Sequence, residues 1–576
     1  MKKIATILAA IILLLAGGYL FIRYQLLRAK DFKPDLTRSR SVLDLRPALI
    51  ARLRQMMKDG TKGLYRLTIE DIEPDIANAS VDLVGVNITV DSTVLTQLDK
   101  LKQAPDDVFH IAFDKLRIEG LGLAELVNRK QIDLEKISVS YPEMQLARTE
   151  RTYNAQERQE KDTLTLYQRL TKHVSHISVK SILVDHGAFT SRNLSHKSRD
   201  TRLENVSIHM NDLLIDSSTQ HDRSRFFFSS NTFISLGRLH RPTADSLYNF
   251  TADSVFLEAK EHRLTAFRVS LMPRGNRQWF QRQNPYRNDR FEIAVPKLVF
   301  RKMNWWRLFN KGSIDCEELV IPGGHFNDYI NDSLPAKPVK NLRNFPYQVL
   351  HDIPLPLNIQ QVTIRNFDLV YTEHNHLSGQ NGTIYFDNIN ARILNLINKP
   401  AYIKPGMWCR VNAHALFMRK QPIQVQMNFD MNRYKTGNFT ASIQLGETDP
   451  LLTNPVTAPL GFFVVKKGMI DKASATLKGD NASVYARLEL LYHDLHISIL
   501  EKKKQQKGEL NKKHVLGFIA NAFVIKNSNS HEKGEARIPE VNVVRDGSNS
   551  FFNFCWRALR LAVMKAAGIP EKFAPH

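Results

Sequence analysis

Few residues in this chain of 576 are placed to do chemistry. The tightest histidine pair, His374-Asn375-His376, directly follows Glu373 and would be a metal-ligand candidate if the three side chains converged. Its surroundings, Ser378, Gly379, Asn381 and Gly382, have the composition of a hairpin loop, so a solvated turn is the expected state. The three cysteines, Cys316, Cys409 and Cys555, are far apart and lack metal-ligand spacing, which indicates neither a zinc site nor a disulfide framework. A nucleophile elbow, a phosphate-binding loop, a His-Glu-x-x-His helix and a dinucleotide fingerprint are all missing from the sequence. No two carboxylates are singled out by their spacing. The expectation is a protein that is not an enzyme, with no catalytic residue, no metal and no cofactor.

Charge offers a different chemistry. A formal net charge of +22 favours an anionic partner, whether nucleic acid, lipid headgroup or polyanionic glycan. Arg274, Arg277, Arg282, Arg287 and Arg290 lie among Trp279, Phe280 and Tyr286, with Trp305 and Trp306 shortly after. Such interleaving can bind single-stranded nucleic acid by stacking and phosphate contact, or lie at a lipid headgroup layer. A solvated loop over buried tryptophans is the plain alternative.

The elements around these residues narrow the choice. Lys2 and Lys3 precede an uncharged run from Ile4 to Ile22, about 28 Å long as a helix and close to a bilayer core. Ala16-Gly17-Gly18 could serve a cleaved signal peptide. The run continues apolar to Ile22, which suits an uncleaved anchor over residues 1–30 carried by Ile4, Leu8, Ile12, Leu15, Leu20 and Ile22. Either reading sends the bulk of the chain out of the cytoplasm, which argues against nucleic acid. Residues 31–63 read as a short helical linker, its helix over Ser41 to Lys58 marked by Leu45, Leu49 and Leu53 and ended by Gly60 and Gly63.

From Leu64 to about residue 545 the chain consists of short alternating runs rich in Val, Ile, Leu, Thr and Phe, the signature of β-structure. A charged helical insert interrupts it at Gln156 to Leu170. One spacing recurs, with apolar residues at steps of two, three, two, three and two. It runs through Ile132, Leu134, Ile137, Val139, Pro142 and Met144, and again through Ile177, Val179, Ile182, Val184, Gly187 and Phe189. Two more copies run through Ile314, Cys316, Leu319, Ile321, Gly324 and Phe326, and through Leu357, Ile359, Val362, Ile364, Phe367 and Leu369. A step of two keeps one face of a strand, whereas a step of three changes face unless an extra residue is absorbed. The first break therefore predicts a bulge that bends the strand and keeps its apolar face inward. The second break, richer in turn residues such as Asp185-His186-Gly187, predicts a chain reversal. The fold expected is mainly β: an elongated, curved antiparallel sheet forming an apolar groove. It is flanked by the N-terminal transmembrane helix and a C-terminal amphipathic helix over 546–576.

That last element, "SFFNFCWRALRLAVMKAAGIP", places Asn553, Arg557 and Arg560 on one narrow helical face, with apolar residues over most of the rest. Three cations make spanning costly. It reads as a surface-lying helix that contacts a membrane through Phe551, Phe552, Trp556, Arg557 and Arg560, as a cap on the open end of the groove, or as a core helix of the last domain.

The single anchor in "KKIATILAAIILLLAGGYLF", the β region opening with "GLYRLTIEDIEPDIANASVDLVGVNITV" and the ending with Arg545-Asp546 before a Trp-containing helix together resemble the AsmA-like family of bacterial envelope proteins, in the repeating β-groove superfamily with the TamB-like proteins. The charged insert has no assigned counterpart there. The resemblance implies a single-pass inner-membrane protein with its bulk in the periplasm of a Gram-negative bacterium. It implies a groove that binds or transfers lipid, phospholipid above all, in support of outer-membrane biogenesis and envelope integrity. The groove-lining candidates are Ile132, Leu134, Ile137, Val139, Ile177, Val179, Ile182, Val184, Ile314, Leu319, Ile321, Leu357, Ile359, Val362 and Ile364. The alternative is a scaffold holding an envelope protein partner and assisting outer-membrane protein assembly.

Overall fold

The computed structural model describes residues 46–568 apart from 76, 121–130, 155–175, 196–200, 220–221, 223, 244, 336–344, 354, 503–517, 523–526, 532–533, 535 and 546–549. The expected anchor, the body of the charged insert and Asp546 lie outside the described residues. Among those described, no helix is long and apolar enough to cross a membrane. The chain is mainly β and divides into two compact units. One comprises the described residues up to Ser246 with Phe250–Phe267 and Asn304–Gly312; the other comprises Leu247–Asn249, Arg268–Met303 and the described residues from Ser313.

The linker helix is α1 (Arg46–Gly60), closed by a turn in which Gly63 N donates to Lys58 O at 2.7 Å. The β region opens with β1 (Tyr65–Thr68), β2 (Asp71–Asp75), β3 (Ser80–Val90) and a short helix, α2 (Ser92–Lys100), capped by the Asp91 carboxylate. Then come β4 (Asp107–Glu119), β5 (Gln131–Ser140), β6 (Glu143–Arg148), β7 (His176–Asn193), β8 (Thr201–Ile215), β9 (Asn231–Leu236) and β10 (Arg238–Pro242).

From Leu247 the same plan is repeated about 183 residues on. It consists of β11 (Tyr248–Ala252), β12 (Ser254–Glu258), β13 (Arg263–Pro273), α3 (Arg277–Gln283), β14 (Arg290–Arg301), β15 (Ile314–Ile321), β16 (Gly324–Asn331), α4 (Pro346–Asp352), β17 (Leu357–His374) and β18 (Asn381–Ile397). The repetition extends to register. Asp71 faces Val84 in the first hairpin and Ser254 faces Phe267 in its counterpart, 183 residues later in both strands. Phe109 N donates to the Tyr65 hydroxyl at 3.2 Å, as Phe291 N donates to the Tyr248 hydroxyl at 3.4 Å.

The recurrent spacing explains the pairing at the heart of each copy, because the repeats pair with one another. Ile132, Leu134, Ile137, Val139 and Met144 lie beside Ile177, Val179, Ile182, Val184 and Phe189. In the second copy Ile314, Cys316, Leu319, Ile321, Gly324 and Phe326 lie beside Leu357, Ile359, Val362, Ile364, Phe367 and Leu369. All of these pairings are parallel, so the sheet is mixed and the antiparallel expectation is corrected. The predicted reversal at the second break is corrected with it: β5 and β6 run in line along β7, and β15 and β16 in line along β17. Turn residues there serve a local kink. Tyr141 (φ 49°) and His186 (φ 55°) both take left-handed backbone, and their rings stack at 5.2 Å.

Parallel neighbours cannot be joined by a tight hairpin and need a crossover of a dozen or more residues. Residues 149–175 and 332–356 are those crossovers. The charged stretch 156–170 falls in the first, and α4 occupies the corresponding second.

The first break bends the sheet as a row rather than strand by strand. Glu135, Lys180 and Asp212 drop out of their ladders at one level with the flanking pairs still in register, and Asp212 takes φ 50°. Glu317, Gln360 and Asn395 (φ 61°) do the same in the second copy. Because adjacent strands skip a residue together, the pairing survives and the apolar face stays inward. Ion pairs seal the outer side of each crease, Lys180 to Glu135 and Lys302 to Glu317, both at 2.6 Å.

The second unit continues as a meander of β19 (Trp408–Phe417), β20 (Gln421–Asp430), β21 (Phe439–Leu445), β22 (Phe463–Gly479) and β23 (Ser483–Lys502), with β24 (Phe518–Ala522) and β25 (Glu540–Val544) on β23. The C-terminal helix is α5 (Phe551–Ala567), started by the Ser550 hydroxyl and ended by Gly568 at φ 75°. Its Phe551, Phe554, Ala558, Ala562 and Ala566 are buried in a core shared with Phe345, Phe429, Phe439 and Val484.

Candidate functional site

In the first unit the predicted lining residues Ile132, Leu134, Ile137, Val139, Ile177, Val179, Ile182 and Val184 are all buried. In the second, Leu319, Ile359 and Val362 are buried, while Ile314, Ile321, Leu357 and Ile364 are half-buried. The partly open apolar surface is therefore in the second unit, and it extends beyond the predicted positions.

Following cross-strand partners from Ile364 leads through Ala391, Ala413, Val425, Ile443 and Ala475 to Leu488. The next inward row runs from Val362 through Ile393, Val411, Met427, Ala441 and Leu477 to Ala486. The row between them faces the other side and reads Thr363, Arg392, Asn412, Gln426, Ser442, Thr476 and Arg487. One face of seven consecutive strands is thus an unbroken apolar band, backed by an entirely polar row. Alternation produces this directly, since odd and even positions of a strand point to opposite faces. The band is buried on β22 and β23, where the core reaches α5, but half-buried at Ala391, Ile393, Val411, Ala413, Val425, Met427 and Ile443.

Near the far end of β17 the inward face turns polar. Asp328 on β16 points inward between Phe326 and Ile330, beside Tyr371 on β17, and is 9% exposed with its Oδ1 lacking any hydrogen-bond partner. Burial and the neighbouring Asp289 push its carboxyl up to about 8. Burial also raises Glu373, whose Oε2 accepts from the Tyr371 hydroxyl at 2.9 Å and from Asn553 Nδ2 on α5 at 3.3 Å. The polar stripe of α5 therefore turns inward. Arg560 donates to Leu460 O at 3.3 Å, and burial lowers its proton affinity. Arg537 clamps the other end of the helix, its Nε donating to Ala566 O at 2.8 Å and its Nη2 to the Tyr492 hydroxyl at 3.0 Å.

Of the five predicted membrane-contact residues, Phe551 is in the core, Trp556 packs against Met418, Val456 and Leu460, Arg557 and Arg560 are half-buried, and Phe552 is exposed. Arg545 lies 4.6 Å over the Phe345 ring. Compared with protein-family models and with curated proteins, the chain matches none. The arrangement of its own residues is what assigns its chemistry.

The other sequence candidates resolve into local structure. His374 to Gly382 forms the hairpin between β17 and β18, turned by Asn375 Oδ1, which accepts from Leu377 N and Ser378 N. His376 Nδ1 lies 2.6 Å from Asp332 Oδ2, and Asp332 also holds Arg287 at 2.6 Å. No group of three His, Cys, Asp or Glu side chains among the described residues is placed to hold a metal ion. Trp305 is buried and donates to Ala259 O at 3.0 Å, while Trp306 is exposed. Burial pushes the Cys316, Cys409 and Cys555 thiols up to about 12, so none is a nucleophile at neutral pH. Iodoacetamide at pH 7.5 is expected to leave all three unlabelled in the folded protein and to label all three in denaturant, as read by intact mass.

Asp328, Glu373, Arg537 and Tyr492 were not singled out by the sequence. A signal existed for the first two: each occupies an inward step of an otherwise apolar alternation, Phe326-Asp328-Ile330 and Leu369-Tyr371-Glu373.

Proposed function

We propose that this is an AsmA-like, membrane-anchored lipid-binding protein of the bacterial envelope, which holds phospholipid acyl chains on its apolar sheet face and supports outer-membrane biogenesis. It carries its ligand and does not convert it. The observation that supports this reading is the seven-strand apolar band, half-buried across β18 to β21. A contiguous apolar surface of that kind is normally a binding surface, and rows of Ala, Val, Ile and Met without a polar side chain offer an alkyl chain dispersion contacts and no direction. The uncharged run Ile4 to Ile22 supports anchoring in the inner membrane with the bulk in the periplasm.

Native mass spectrometry of the detergent-purified full chain is expected to show co-purified phospholipid. Photo-crosslinking residues at Val425 and Ile443 are expected to yield lipid adducts in cells. An empty protein whose crosslinks go only to another polypeptide would overturn the lipid reading in favour of a scaffold for outer-membrane protein assembly.

A further inference from the structure

A second surface in the same unit, on the outward side of β14 and β16, carries a different chemistry. Arg277, Phe280 and Asn284 of α3 and its following turn, with Tyr286, Arg290 and Tyr329, line a shallow cleft. The floor is Phe280, which is buried, and the rim is Tyr286, which is exposed. The Arg277 guanidinium lies 3.9 Å over the Tyr329 ring, a contact that orients it without neutralising it. Arg290 spends Nη1 on Glu292 Oε1 (2.7 Å) and Nη2 on Gly275 O (3.2 Å), which leaves its buried Nε with no acceptor among the protein atoms.

The internal repeat supplies a control. The cross-strand pair formed by Arg290 and Tyr329 corresponds, 182 residues earlier, to Val108 and Ala147 in the first copy. The same fold is built there from two small apolar side chains, so the arginine and the tyrosine are not requirements of the scaffold. Something other than folding accounts for a guanidinium pair beside aromatic walls.

From this geometry we infer that the cleft binds the phosphate group of a phosphate ester. Planar guanidinium forks match phosphate oxygens; the amide of Asn284 adds a neutral donor, and Tyr286 and Tyr329 wall the ester's organic part. The phosphate belongs either to a lipid headgroup or to a soluble ester, and the chemistry of recognition is the same. The site lies on the face opposite the apolar band and does not depend on it.

The test is isothermal titration of the detergent-purified full chain with two probes, glycerol 3-phosphate and dihexanoyl phosphatidylglycerol below its micellar concentration. Arg277→Gln is compared with Arg282→Gln, an exposed arginine on the same helix that does not line the cleft. At least one probe is expected to bind, at least tenfold more weakly to Arg277→Gln and unchanged to Arg282→Gln. Binding of glycerol 3-phosphate identifies a soluble ester as sufficient; binding of the lipid probe alone identifies a headgroup. No binding of either probe, or equal weakening by both substitutions, overturns the site. Co-purified phospholipid retained by Arg277→Gln, in a protein that has lost probe binding, separates this site from the apolar face.

Discussion

Replacing Asp328 with Asn is expected to raise the thermal midpoint of the second unit at pH 8 and to leave it nearly unchanged at pH 4. Asp328 is a carboxyl in a core position, and its proton affinity in the folded chain is pushed up to about 8 by burial and by Asp289. The unfolded chain releases the same proton near pH 4. Between those two values the native state holds a proton that the unfolded state has given up, so this group's contribution to stability falls as pH rises through the window and levels off above it. The full difference is on the order of 5 kcal/mol as an upper bound, reduced by any relaxation that admits water to the carboxylate.

Asn keeps the shape and cannot ionise, so the quantity to read is the difference between wild type and variant from pH 4 to 9, in which the titration of other groups cancels. A difference that stays flat with pH means that Asp328 is solvated or paired in solution. The first copy shows what the position needs for folding alone: its counterpart is Leu146, which is 2% exposed and faces Phe109 as Asp328 faces Phe291. Asp328→Leu is expected to be at least as stable as Asp328→Asn at every pH.

The contrast between Leu146 and Asp328 also shows where sequence reading stops. The steps of two and three announced which side chains turn inward, and the structure keeps Leu134 with Ile137 and Ile359 with Val362 on the buried side of their creases. They could not announce the neighbour. A parallel partner 43 or 45 residues away and an antiparallel one demand the same alternation, and the choice is made by crossover length and by the faces left to cover. The turn residues at the second break misled for a related reason: a left-handed residue such as His186 or Asn366 serves a bulge as readily as a reversal. The 183-residue duplication is hidden because register is conserved while residue identity is not, with Asp71 matched by Ser254 and Val84 by Phe267. The apolar band was legible strand by strand as alternation, yet its continuity over seven strands depends on register. The C-terminal helix was legible as amphipathic, but its cations looked like a solvent face because their partners, Glu373 and Leu460, lie 187 and 100 residues away from Arg560.

That helix carries the second large effect. Arg560→Glu is expected to destabilise the second unit by roughly 3–5 kcal/mol, the usual cost of leaving a buried charge without its partner. The new carboxylate would stand against Leu460 O and beside Glu373, where an acceptor meets an acceptor. Phe554→Ala is expected to cost a similar amount by a different route, since Phe554 is fully buried between Phe345 and the alanine face of α5 and its loss opens a cavity. Both are read by chemical denaturation of the full chain, and limited proteolysis is expected to cut near Ser550 in each variant and not in wild type.

Arg557→Glu provides the discriminating comparison, because Arg557 shares the polar stripe with Arg560 but makes no hydrogen bond or ion pair in the fold. A helix that works by lying on an anionic membrane would lose liposome binding in both charge reversals and keep its stability in both. A helix that seals the end of the apolar band would lose stability in Arg560→Glu alone. The fully buried faces at Ala558, Ala562 and Ala566, the Arg537 clamp on the last turn and the Asn553 contact to Glu373 all favour the second outcome. On that outcome α5 sets where the band ends: what the half-buried rows on β18 to β21 accept is bounded on one side by this helix, and loosening it is expected to lengthen the apolar surface toward β22 and β23.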